Sequence, residues 1–265
     1  MRRPLVVAVL ILIAGAATVF AQSAPSANPS EGLGLLNQAA QRYTDAKAYY
    51  LESVEERTSS TEYSHSWQKT LVTAAETPGN RFHFEGHSSA GSAMKVADGK
   101  TVWTYRADEH RYTAKPQSIG TSTRSTVIGM SEFGMWNAEN LRKNLGTLAK
   151  SFKSAERLPD ATLIVNGHEV TCDVVRIQNS DQRRLTPDYT FEKTIWIDRA
   201  HQTFLKTIED AQAYIMSGAA RIPMEEEITT TFTTTELSGP VPDALFAFVP
   251  PSDAKLIHGL SRSST

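Results

Sequence analysis

Short segments that alternate apolar and polar residues, separated by turn-forming pairs, recur from Tyr49 to Leu237 and dominate this 265-residue chain. A period of two puts alternate side chains on opposite faces, so these segments read as strands with one wet and one apolar face. Arg81 to Gly86 shows it well, with Arg81, His83 and Glu85 set against Phe82 and Phe84. Tyr49 to Arg57, Trp67 to Ala75, Met94 to Ala97, Thr101 to Tyr105 and Arg111 to Ala114 read the same way. So do Thr162 to Val165, Glu169 to Gln178, Phe191 to Asp198, Phe204 to Asp210 and the Thr-rich Glu226 to Leu237. Asn166-Gly167 suits a two-residue type I′ turn and Asp98-Gly99 supplies positive φ, so both mark hairpins. About ten strands in sequence-adjacent order predict a mainly β (α+β) protein built on one large antiparallel sheet. A sheet that long must curl, and an incomplete curl leaves an apolar concavity to be covered.

Two segments carry helical spacing instead. Leu33, Leu36, Ala40 and Tyr43 follow a small, Pro-containing linker (residues 22–30), with Ser30 in place to cap a short amphipathic helix. Ser131 to Lys153 places Leu141, Leu145, Leu148 and Phe152 on one side, and Met130, Met135 and Trp136 lie just ahead. Over a curled sheet, this segment is the available lid, and unbranched Met suits repacking against ligands of different shape. A helix packed on an ordinary sheet shows the same stripe.

Met1 to Ala21 has the form of a secretory signal: Arg2 and Arg3, an apolar run from Leu5 to Phe20, and Val19-Phe20-Ala21 before Gln22. The run is short of the roughly 18 to 20 residues of a spanning helix. Cleavage predicts a periplasmic or secreted protein, and no Cys follows the run to receive a lipid. Cys172 is the single thiol, which excludes an internal disulfide. Its place between Val170 and Val174 predicts a small buried hydrophobe. Without Arg2 and Arg3 the chain keeps 25 basic against 29 acidic residues, a formal charge of -4. That balance, without a basic block, argues against nucleic acid and anionic membrane surfaces as partners.

Taken together, Pro78-Gly79-Asn80-Arg81-Phe82, Asp98-Gly99-Lys100-Thr101-x-Trp103-x-Tyr105 and Leu245-Phe246-x-Phe248-x-Pro250-Pro251-x-Asp253-Ala254 make a region spanning 31–258 that resembles the LolA/LolB-like periplasmic lipoprotein carrier superfamily. The resemblance implies an incomplete antiparallel β-barrel with helices as its lid, binding lipid or lipoprotein acyl chains in the bowl. True lipoprotein carriers place an Arg directly before the Pro of the first motif, where it helps hold the lid. Here Thr77 occupies that position and Arg81 comes three residues after Pro78, so the likeness extends to the bowl and an apolar ligand before it extends to lipoprotein sorting.

The expected bowl lining is the apolar face of each strand: Leu71, Phe82, Phe84, Trp103, Tyr105, Ile195, Ile197 and Phe204. An ordinary closed core would use the same side chains. The expected lid residues are Met135, Trp136, Leu141, Leu145 and Leu148, and residues 259–265 read as a flexible tail.

Other chemistry fails on geometry. His83 and His87 on a strand stand about 13 Å apart, too far to share one zinc. Ser66-x-x-Lys69 and Ser92-x-x-Lys95 fall on strands, where odd spacing separates the two side chains. Glu209-Asp210 and Glu225-Glu226-Glu227 alternate between faces and read as solvated surface. No acid, base or nucleophile set assembles and no cofactor is implied. The expectation is a monomeric, non-enzymatic carrier. The alternative is a sensor that uses the same bowl to detect lipid and bind a membrane protein partner.

Overall fold

The computed structural model describes residues 29–117, 152–181, 190–217 and 220–257. The expected signal segment, most of the expected linker, the expected tail, and the expected lid residues Met135, Trp136, Leu141, Leu145 and Leu148 lie outside them. The first described element is helix α1 (Pro29–Asp45), so Ser30 falls inside its first turn rather than before it. Proline in the first helical turn is favourable, because its missing N–H has no intrahelical partner there.

Six strands follow in a meander: β1 (Tyr49–Ser60), β2 (His65–Thr77), β3 (Arg81–Ser88), β4 (Gly91–Asp98), β5 (Thr101–Arg106) and β6 (Arg111–Pro116). Five more complete the antiparallel set: β7 (Glu156–Val165), β8 (His168–Gln178), β9 (Thr190–Asp198), β10 (Phe204–Ser217) and β11 (Ala220–Leu237). The two-residue β12 (Lys255–Leu256) pairs parallel to β6. All twelve make one sheet in the order β12-β6-β5-β4-β3-β2-β1-β11-β10-β9-β8-β7. Among the described residues the sheet is curved and not closed into a barrel, with β12 and β7 as its edges. The expected open curl is present; of the helices, α1 is the only α-helix among the described residues.

The turns follow their residues. Asn166 and Gly167 both take positive φ, 50° and 82°, between the paired Val165 and His168, as a type I′ turn requires. At the β4–β5 turn, the amides of Thr101 and Lys100 each donate to the Asp98 carboxylate at 2.7 Å and hold it below the usual carboxylate range. Gly99 there has φ 94°, and a Cβ on it would meet the Gly79 carbonyl oxygen at 2.7 Å. The two glycine turns therefore pack against each other, which ties the Pro78-Gly79 and Asp98-Gly99 motifs together physically.

Cross-strand register fixes two faces. The inner face, which meets α1, carries Leu51, Val72, Ala74, Phe84, Val175, Ile177, Phe191, Ile195, Ile197, Phe204 and Phe232, gathered with Leu36, Ala39 and Tyr43 of the helix into one core. In a flat sheet β3 and β8 would stand about 29 Å apart, at about 4.8 Å per strand. Curvature brings their side chains into a shared interior. Tyr43 stacks on Phe204 with ring centroids 5.3 Å apart, and its hydroxyl accepts the Phe204 amide at 3.2 Å. Burial pushes that hydroxyl's pKa up. Gly32 lets α1 approach so closely that a Cβ there would stand 2.3 Å from the Ala155 carbonyl oxygen. Arg157 of β7 reaches both Glu31 of α1 and Asp173 of β8, fixing the helix over that end of the sheet.

The outer face has its own cover. A short 3-10 turn, Asp243–Phe246, and the segment after it lie across β3 to β6. Arg81 pairs with Asp243 at 2.7 Å and sets its guanidinium 4.7 Å from the centre of the Phe246 ring. His83 Nδ1 meets the Leu245 carbonyl at 2.9 Å, and Phe248 lies among Trp103, Tyr105 and Tyr112 with centroid distances of 6.1, 6.0 and 5.6 Å.

Candidate functional site

The inner face is the candidate site, and the register tests each expected lining residue. Phe82 pairs with Glu76 and Ala97, and Phe84 with Ala74 and Lys95, which puts both on the inner face. Ile195, Ile197 and Phe204 are inner and buried beside α1. Three expectations need correction. Leu71 lies on the outer face, opposite in phase to Val72 and Ala74, and is 52% exposed. Trp103 pairs with Val96 and Ala114, and Tyr105 with Met94 and Tyr112, all on the outer face, where Phe248 covers them. Their inner neighbours on β5 are Val102 and Thr104. The physical reason is that Phe248 covers β5 on its outer side, so its aromatics fill that cover and do not mark the bowl.

The register also shows what alternation hides: the inner face is not uniformly apolar. Lys193 of β9 and Glu209 of β10 pair across neighbouring strands at 2.5 Å, with side chains only 4% and 7% exposed. Glu55, Thr70, Lys95, Thr207 and Thr230 are also buried on this face. Arg57 and Glu226 pair at 2.9 Å further along it. Glu209 and Glu226 read as solvated surface in the sequence, but the curl encloses them. The site is therefore an apolar floor at the Phe84, Ile195 and Phe204 end that passes into a polar middle.

Lys95 sits where these regions meet. Its ammonium lies 5.7 Å from the Phe82 ring centre. Burial, with Lys115 nearby, pulls its pKa down to about 8. The unfolded chain keeps that proton to about 10.4, so above about 8 the unfolded state binds more protons than the folded one. Folding stability should then rise with pH between about 8 and 9.5, by about 1 kcal/mol per unit at most. Urea titrations at both ends of that window should show the rise in the natural protein and its loss in Lys95→Met. An equal rise in both proteins would remove the assignment.

The remaining candidates are placed plainly. His83, Glu85 and His87 line one outer stripe of β3, with Glu85 2.8 Å from His87 and 3.5 Å from His83. Hydrogen bonding from His83, then the charge and hydrogen bond of His87, lower the Glu85 pKa. Lys69 pairs with Glu56 at 3.0 Å on the outer face, away from Ser66, and Ser92 bonds His87 at 2.8 Å rather than Lys95. Cys172 is fully buried in an outer-face cluster with Val174 and Leu205. Leu205 reaches that cluster because the register shifts between Phe204 and Lys206, an extra residue that lets the consecutive side chains of Leu205 and Lys206 share the outer face.

No protein-family profile matches the sequence, and no curated protein matches it. Among solved structures, LprF from Mycobacterium bovis is 10% identical over 86% of this chain and 99% of its own, with a TM-score of 0.43. The lipoprotein LppX from Mycobacterium tuberculosis is 9% identical over 81% of this chain and 99% of its own, also at 0.43. A LolA superfamily protein from Nitrosomonas europaea is 12% identical over 82% and 97%, at 0.31. This chain is similar to them.

Proposed function

We propose that this is an exported, non-enzymatic lipid-binding protein that holds an acyl chain against the inner face of its open sheet. One observation carries the reading. Phe84, Ile195, Phe191 and Phe232 come from both arms of a single sheet and converge on one interior, with Phe82 on the same face beside Phe84, while among the described residues the sheet stays unjoined between β12 and β7. An apolar interior in a sheet that is not closed can admit a flexible chain without unfolding the sheet. Transfer of each methylene from water to that interior contributes about 0.8 kcal/mol. The polar middle, with Lys95 and the Lys193 and Glu209 pair, suits an amphiphile better than a bare hydrocarbon.

Titration with a fluorescent fatty acid tests this. Binding should saturate at one site, weaken at least tenfold in Phe82→Glu, which plants a charge on the inner face, and stay unchanged in Leu71→Glu on the outer face. Equal weakening in both variants, or none in either, would contradict inner-face binding.

A further inference from the structure

The last strands of the sheet reach past their neighbours. The β9 partner of β10 ends at Thr190 opposite Gln212, and the β1 partner of β11 ends at Ser60 opposite Glu225. Beyond those points segments 213–217 and 220–224 pair, among the described residues, only with each other, as a two-stranded ribbon extending about 17 Å past the ends of β1 and β9 at about 3.3 Å per residue. Such a ribbon has little stability of its own in water. This one is apolar on both faces, with Ile215 paired to Ile222 on the inner side and Tyr214 paired to Pro223 on the outer. Tyr214 and Ile215 are exposed, and Arg221 stacks its guanidinium 4.3 Å from the Tyr214 ring centre. From the same end the β1–β2 hairpin presents Tyr63 at 76% and Trp67 at 60% exposure.

We propose that this end of the sheet docks peripherally on a bilayer of zwitterionic, ammonium-bearing lipids. Tyr and Trp, with an apolar body and a polar tip, are the side chains that settle at the junction of headgroups and acyl chains. Charge selects the lipid. At the ribbon's base lies a trough of about 630 Å³ whose lining includes five carboxylates, of which Glu192 pairs with Arg176 and Glu226 with Arg57, leaving Asp210, Glu225 and Glu227 to set its negative charge. Those carboxylates repel anionic lipid and complement ammonium or choline groups. Docking here does not depend on the inner face, so it can fail while lipid capture stands.

Flotation with the full chain, exported and recovered from the periplasm, decides it. The protein should float with phosphatidylethanolamine and phosphatidylcholine vesicles and less with phosphatidylglycerol. The double variant Tyr214→Ser with Ile215→Ser should float at least fivefold less, with its melting temperature and fatty-acid binding unchanged. Because Cys172 is buried, an environment-sensitive dye on Ile215→Cys reports the ribbon alone. It should shift to the blue on vesicles, while the same dye on His168→Cys at the opposite end should not. Equal flotation of the double variant, preference for the anionic vesicles, or a concentration-dependent blue shift without vesicles, which marks a second copy of the chain on the ribbon, would each overturn the proposal.

Discussion

Glu209→Ala should lower folding stability by about 3–5 kcal/mol, the cost of stranding a buried charge, while Lys193→Met combined with Glu209→Leu should recover most of the loss. The two groups meet at 2.5 Å across β9 and β10 and are almost wholly enclosed. Removing one partner leaves the other desolvated without its counter-charge. Replacing both by apolar groups of similar volume removes the desolvation penalty along with the attraction, so the double variant comes out near neutral. Urea unfolding of the two single variants and the double variant measures the coupling. A loss below about 1 kcal/mol, the size typical of exposed pairs, would show that the inner face is wet at that point.

Phe204→Ala should cost a similar amount, about 3–5 kcal/mol. Its ring is fully buried, stacks on Tyr43 and sits where α1 meets the sheet. The truncation leaves a cavity under the helix that backbone relaxation cannot fill. Leu71→Ala is the contrasting case: an exposed outer-face residue whose loss should stay within about 0.5 kcal/mol. Thermal melts of both variants separate the two faces directly. Similar costs for the two would mean that the face assignment of β2 or β10 is wrong.

The contrast between those residues also shows what the sequence makes legible. Where one face of a strand is polar, as in β3, alternation identifies the inner residues Phe82 and Phe84. Asn166-Gly167 fixes its hairpin because few other pairs take positive φ twice in succession. The phase of β5 is hidden because the outer cover of Trp103 and Tyr105 is Phe248, supplied from far along the chain. Leu71 misleads for a related reason: apolar residues in β2 occur in both phases, Leu71 and Ala75 against Val72 and Ala74. Glu209 looks solvated in sequence because nothing local reveals that β9 and β10 place it beside Lys193 inside a curl. The ribbon beyond residue 212 is missed because Tyr214-Ile215-Met216 breaks the alternation. Its exposure on both faces depends on where β1 and β9 stop.

The account rests on an acyl chain occupying the inner face, and native mass spectrometry of the exported protein tests that most directly. Protein recovered from the periplasm without added lipid should carry an adduct with the mass of an acyl lipid. Gentle ionisation should preserve it, denaturation should release it, and Phe82→Glu should retain far less. Recovery of natural and Phe82→Glu protein alike at the bare mass of the chain, under conditions that preserve a known lipid complex, would contradict the account.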